Sequence, residues 1–119
     1  MFPVVVFEKP GVETNRYRSG GRIWYVANLI ERAKSLQQFD LPLCAIHVGA
    51  GIWDDMSSPL RLATHVHRMM TADMDAPIIM SADGFIMDGW HRVARAIYDG
   101  RETIKAVRFD VTPPCDMEE

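Results

Sequence analysis

The segment from residue 83 to residue 100 constrains the fold most, because its residue types specify a hairpin, a glycine junction and a helix in that order. Asp83-Gly84 favours the tight turn of a β-hairpin between two apolar segments. An apolar stripe at helical spacing follows Gly89, and Gly100 can end that helix. The apolar segments are Pro77–Met80 and Phe85–Met87, and the stripe consists of Val93, Ala94 and Ile97.

A helix that begins after Gly89 predicts an anion-binding site. The first turn of a helix has backbone N–H groups without internal partners and carries the positive end of the helix dipole. Gly89 allows a ligand to approach the backbone closely. Arg92 offers a planar fork for phosphate oxygens, and His91 and Arg95 lie four residues apart on one flank of the helix.

A structural interpretation of the same residues stays open at this point. Asp88 then only caps the helix, Trp90 fills the core beside Val93 and Ile97, and the arginines are solvated. The residue pattern alone does not separate this interpretation from a phosphate site.

Composition limits the class of protein. The chain has 119 residues, 48% of them hydrophobic and 24% charged, which fits one globular domain. A formal net charge of −3 argues against non-specific attraction to nucleic acid, so DNA binding by this chain alone is not expected.

Cys44 and Cys115 are too few for a disulfide framework, and we expect a cytoplasmic protein. The apolar residues 2–7 are too few to span a membrane, and they predict a strand.

The pattern along the rest of the chain predicts a small α/β (α+β) domain, with a mixed sheet and surrounding helices. We expect residues 1–40 to form a strand, a loop and a helix, residues 41–111 to form the core, and residues 112–119 to form a flexible tail. The predicted strands are 2–7, 41–48, the two hairpin segments and 103–109, the predicted helices are 23–36, 59–71 and the one after Gly89, and 8–21 is a predicted loop.

The segment with the hairpin, the glycine junction and the helix resembles the core of the ParB/sulfiredoxin superfamily. The signature of that superfamily is a Gly-x-His-Arg or Gly-x-Arg-Arg box after a hairpin strand, and this chain has Asp88-Gly89-Trp90-His91-Arg92. The resemblance covers about residues 41–109 and leaves 1–40 unmatched. It implies that the box binds nucleotide phosphates.

Members of that superfamily differ in the chemistry of the box. Sulfiredoxins have a reactive cysteine before the His-Arg pair, where this chain has Trp90, so sulfinic-acid repair is not expected. Partition proteins carry a helix-turn-helix domain after the box, which is not expected here. Free serine kinases use an Asp-Gly-x-His-Arg box, and Asp88 and His91 match their phosphoryl-transfer positions. The upstream glutamate of those kinases has no match near residues 43–53, although Asp54 or Asp55 can substitute.

Together these features predict a protein that binds a nucleotide triphosphate, a diphosphate or another phosphate-bearing small molecule, with phosphoryl transfer or nucleotide hydrolysis as its chemistry. Gly89, Trp90, His91 and Arg92 hold phosphates, and Asp88 and His91 are the catalytic candidates. Mg²⁺ is a possible cofactor, held by Asp88 with Asp54 and Asp55. The resemblance adds Arg61 as a residue that faces the pocket, whereas its position alone fits an exposed helix residue equally well.

Two other functions stay open. One is a non-catalytic regulatory or partition-like accessory module of phage or plasmid origin. For either kind of protein, a homo-oligomer or a protein partner stays open. The other is a ParB-like nuclease, which the acidic composition disfavours. Among the remaining candidates, His65 and His67 point to opposite edges of their helix and cannot share a metal ion. His47 and Cys44 are expected to be half-buried and buried in a strand.

Overall fold

A computed structural model describes residues 1–54 and 56–119. The described residues form a small, mixed α+β structure with three α-helices and two β-sheets. The helices are α1 (Val26–Ala33), α2 (Pro59–Met70) and α3 (Trp90–Tyr98). The strands are β1 (Arg16–Ser19), β2 (Arg22–Tyr25), β3 (Phe39–Pro42), β4 (Ile78–Met80), β5 (Ile86–Asp88), β6 (Thr103–Arg108) and β7 (Met117–Glu118).

The larger sheet has the strand order β3-β6-β4-β5. Strands β4 and β6 are parallel, and the other neighbours are antiparallel, so the sheet is mixed as predicted. Neighbouring residues of β4 face opposite sides: Ile78 packs with Val93 of α3, and Ile79 packs with Leu29 of α1. The sheet is therefore covered by α3 on one face and by α1 on the other.

The predicted hairpin and its helix are confirmed. Strands β4 and β5 pair around a turn in which Gly84 has φ of +90°, and Gly89 precedes α3 with φ of +115°. Helix α2 is confirmed as well, since the Ser58 side chain accepts a hydrogen bond from the backbone N–H of Arg61. One detail of α3 differs: Ile97, expected in the core, is exposed.

The smaller sheet has the order β1-β2-β7, and its β1-β2 hairpin lies where the sequence predicts a loop and the start of a helix. Residues 8–21 were expected to be a loop, but β1 and β2 form a hairpin whose turn is Gly20-Gly21. Helix α1 begins at Val26 because Ile23, with the two aromatic residues that follow it, belongs to β2. Strand β1 is mostly polar and exposed, so its sequence contains no apolar run that would predict a strand.

The segment 112–119 is attached to the fold, so the expected flexible tail is wrong. β7 pairs with β2, the Trp24 indole N–H donates to the carbonyl of Pro113 at 2.8 Å, and the backbone N–H of Tyr25 donates to Asp116 at 2.8 Å. Strand β2 offers residues 112–119 an edge to pair with and N–H groups that need acceptors. The composition of residues 112–119 does not indicate these distant partners.

Two predicted strands differ from the structure. Residues 2–7 form no strand, and the side chains of residues 2–6 are largely exposed. The strand predicted over 41–48 is β3, which ends at Pro42, and a 3₁₀ turn, Leu43–Ala45, follows it. Cys44 and His47 consequently lie outside any strand and are exposed, which corrects the expectation that both are at least half-buried.

Within residues 1–54 and 56–119, no helix has the length and apolar character needed to cross a membrane.

Candidate functional site

The junction between β5 and α3 is shaped by a close contact. Gly89 lies against β4, where an added Cβ would stand 2.5 Å from Cγ2 of Ile78. Its φ of +115° also disfavours any L side chain. Glycine is therefore required at this position by both backbone conformation and space, and this brings the first turn of α3 to the edge of the sheet.

A cavity of about 190 Å³ opens at this first turn. It brings together four of the predicted site residues and adds three polar side chains that the sequence did not indicate. The predicted residues are Asp88, Gly89, His91 and Arg92, and the additional ones are Asn15, Arg68 and Asp73. Two guanidinium groups, two carboxylates and one imidazole thus surround a helix N-terminus, which is a suitable environment for a phosphate group or for a metal-bound phosphate.

A second cavity, of about 270 Å³, adjoins the first and is mainly apolar. Ile30, Asp88 and Arg92 line both cavities. The two cavities therefore lie on either side of the Asp88–Arg92 pair, and we refer to them together as the cleft. Lys34 contributes the only other cationic side chain of the apolar part among the described residues.

Asp88 and Arg92 form an ion pair inside the cleft. Nη2 of Arg92 donates to Oδ2 of Asp88 at 2.7 Å, and the two side chains are 15% and 17% exposed. Nε of Arg92 is buried and has no hydrogen-bond partner within the described residues. The side chain of Asp88 makes no capping hydrogen bond to α3, which corrects the structural interpretation of the sequence. Because Nη2 of Arg92 is engaged by Asp88, only part of the Arg92 guanidinium is available for the expected contact with phosphate.

His91 connects the cleft to a cluster of three rings. Its Nε2 lies 2.8 Å from Nδ1 of His65, a hydrogen-bonding distance, and Trp53 stacks on it with ring centroids 4.6 Å apart. Trp53 also contacts His65, at 4.9 Å between centroids. The neighbour of His91 is therefore His65, a buried residue of α2. The sequence analysis considered His65 only as a metal ligand together with His67 and did not predict its contact with His91.

Trp90 and Arg95 stand apart from the cleft. Trp90 packs against the core and lines a different cavity, so its side chain does not line the cleft. Arg95 donates to the carbonyl of Met70 at 2.9 Å and to Asp99 at 3.0 Å. It holds the C-terminal end of α2 and does not flank the anion site together with His91.

The remaining site candidates lie away from the cleft or outside the described residues. Arg61 is exposed, and its Nη1 lies 3.5 Å from a carboxylate oxygen of Glu8. Asp54 is exposed and does not line the cleft, and Asp55 lies outside the described residues. No group of three or more His, Cys, Asp or Glu side chains arranged to hold a metal ion is found in the part of the chain that the structure describes.

Asn15, Arg68 and Asp73 line the cavity at Gly89 and were not predicted from the sequence. Arg68 and Asp73 lie near the C-terminal end of α2, 20 and 15 residues before Asp88, and neither belongs to a motif. The one available signal was the position of Arg68, three residues after His65 and so close to it on the helix surface.

No protein-family model, no curated protein and no solved structure matches this chain.

Proposed function

We propose that the chain binds a nucleotide, with the phosphates at the first turn of α3 and the base in the apolar part of the cleft. The observation that carries the proposal is the cavity at Gly89, where Arg68 and Arg92 line the space in front of the N-terminus of α3. The resemblance of the Asp88–Arg92 box to that of the ParB/sulfiredoxin superfamily supports the same ligand class.

The apolar cavity suits a nucleobase in size and in chemistry. It has a volume of about 270 Å³ and is lined largely by aliphatic side chains of α1 and the sheet, such as Ala33, Ile79 and Val107. Ligand pockets commonly combine such apolar walls with a few polar groups that fix orientation. Lys34 and Gln38 are the polar residues available for that purpose at this end.

The two carboxylates at the phosphate end suit a magnesium ion. Asp73 and Asp88 line the same cavity, and Mg²⁺ is typically held by one or two carboxylates together with substrate phosphates. A bound cation offsets the repulsion between these carboxylates and the phosphates. In this proposal Asp73 takes the role that the sequence had given to Asp54 and Asp55.

The proposed chemistry is phosphoryl transfer or hydrolysis. Asp88 or His91 accepts the proton of the attacking hydroxyl or water as its oxygen bonds to the terminal phosphorus, and the P–O bond to the rest of the nucleotide breaks. Arg68, Arg92 and the helix N-terminus stabilise charge on the transferred phosphoryl group and on the departing nucleotide. His65 orients the ring of His91 through the 2.8 Å contact.

Ligand-dependent thermal stability tests the binding site. A nucleotide that binds only the folded state raises the melting temperature, and ATP, ADP, CTP, GTP and inorganic phosphate should be compared with and without Mg²⁺. Arg68→Ala removes a charged contact worth about 1.5–3 kcal/mol and is expected to weaken binding by about tenfold or more. Arg32→Ala, on the exposed surface of α1, is the matched control and should bind like the parent chain. Unchanged affinity in Arg68→Ala would remove the proposed site.

A non-catalytic binding module is the second candidate. Its support is the Asp88–Arg92 ion pair, because a carboxylate engaged by a guanidinium is a poor proton acceptor. Asp88→Asn distinguishes the two: an enzyme binds nucleotide with Mg²⁺, turns it over and loses turnover in this variant, whereas a module binds saturably and shows no turnover in either form.

A further inference from the structure

An apolar groove on α2 lies on the opposite side of that helix from the core. Leu62, Val66 and Met70 recur at i, i+4 and i+8, and all three are exposed. The residues packed inward are Thr64 and His65. Together with Pro59, Ala63 and His67, the apolar row encloses an open groove of about 500 Å³, which we call the α2 groove.

The segment of residues 1–6 presents a second exposed apolar surface. Its side chains are almost fully accessible, and Val5, the least exposed of the large ones, is still 79% exposed. Consecutive β-branched valines favour an extended strand, but the segment has no strand partner within the described structure. The radius of gyration, 15.2 Å, exceeds the roughly 13.5 Å expected of a compact domain of this length, consistent with a projecting segment.

The segment begins at the α2 groove but does not fill it. Phe7 lines one end of the groove, its ring centroid 5.7 Å from that of His67, and the ion pair between Glu8 and Arg61 fixes the chain beside α2. Val6, the next residue, is already 83% exposed. The segment therefore leaves its own groove at Phe7 and carries its apolar side chains into solvent.

We infer that the chain forms a two-fold symmetric dimer in which residues 1–6 of each copy occupy the α2 groove of the other. The dimensions agree: six extended residues span about 20 Å, and the twelve residues of α2 span about 18 Å. Reciprocal exchange of one segment and one groove gives a closed, isologous interface.

The area that this exchange buries is sufficient for a stable dimer. Successive side chains of an extended segment face opposite sides, so Phe2, Val4 and Val6 face the groove together. Phe2 contributes about 150–250 Å² and each of these two valines about 60–120 Å², which gives roughly 270–490 Å² for the segment. The groove side of the same copy adds a comparable area. The total, roughly 540–980 Å² per partner, brackets the approximately 800 Å² that specific interfaces bury.

Sedimentation velocity of the full chain over a wide range of concentration tests the dimer. The parent chain is expected to be dimeric, and Val66→Glu, which places a charge in the groove, is expected to raise the dimer dissociation constant more than about tenfold. Deletion of residues 1–6 is expected to have the same effect. Leu60→Glu is the matched control, because Leu60 is an exposed apolar residue of α2 outside the groove, and it should remain dimeric. Circular dichroism verifies that each variant is folded.

Mixing the two monomeric variants adds a complementation test. The Val66→Glu chain retains its segment and the truncated chain retains its groove, so the mixture should form a heterodimer through one segment-groove contact. This heterodimer should be weaker than the parent dimer, because it buries half the area, and tighter than the self-association of either variant. A monomeric parent chain, whether its segment stays in solvent or folds onto its own groove, would overturn the inference. So would a dimer that survives the deletion, since α2 faces would then pair without the segment.

Discussion

Gly89 illustrates how a single residue fixes the geometry of the candidate site. Its positive φ and its contact with Ile78 are two separate constraints on the side chain. Another glycine of the chain has the positive φ but no such contact. Gly100 has φ of +71° and open space around its Cα.

Gly89→Ala is therefore expected to destabilise the fold more than Gly100→Ala. Backbone strain alone costs about 1–3 kcal/mol, and the overlap with Ile78 adds about 1–3 kcal/mol of overpacking. Urea denaturation of the two variants measures the difference. Equal losses would show that the backbone around residue 89 relaxes away from β4.

The two charges of the Asp88–Arg92 ion pair depend on each other. Replacing either residue leaves the other charged and largely buried without its partner. Arg92→Met and Asp88→Asn are each expected to lower the free energy of unfolding, by up to about 3 kcal/mol. The double variant should lose less than the sum, with a coupling free energy of about 1–3 kcal/mol. A double-mutant cycle in urea checks this, and strict additivity would contradict the pair. Arg92 variants therefore mix stability with binding, which is why Arg68 is the sharper test of the ligand site.

At the scale of elements, α2 and α3 are joined through the end of one helix. Arg95 reaches from α3 to the carbonyl of Met70, where the negative end of the α2 dipole lies. Arg95→Met is expected to lower the free energy of unfolding by about 1–2 kcal/mol. Arg101→Met, a more exposed arginine near the same Asp99, is the control and should change it by under about 0.5 kcal/mol.

The elements that the sequence predicts correctly carry their own signals. The Asp83-Gly84 turn, the Ser58 cap and Gly100 are local features, and the hairpin, α2 and α3 follow from them. Strands β1 and β7 depend on pairing with β2, so their residues give no local signal. The same reason explains the cleft: the box specifies its helix N-terminus, but Arg68 and Asp73 reach it only through the packing of α2 against α3.

At the scale of the whole molecule, the smaller sheet joins distant parts of the chain. Truncation after residue 111 removes β7, the Asp116 contacts and the acceptor of the Trp24 indole. We expect a lower melting temperature and a red shift of tryptophan emission as Trp24 becomes hydrated. Asp116→Ala, which removes only the contacts to Tyr25 and Asn28, should lower the melting temperature less. An unchanged spectrum in the truncated chain would mean that residues 112–119 do not cover Trp24.

The pairing of β2 with β7 also has a consequence for the order of events during synthesis. Tyr25 and its partner Asp116 are separated by 91 residues, so the β1-β2 hairpin emerges from the ribosome long before its third strand exists. Closing so long a loop is entropically costly and slow compared with the local pairing of β4 with β5. The nascent hairpin must therefore wait with an open edge, during which it is exposed to chaperones and to other nascent chains.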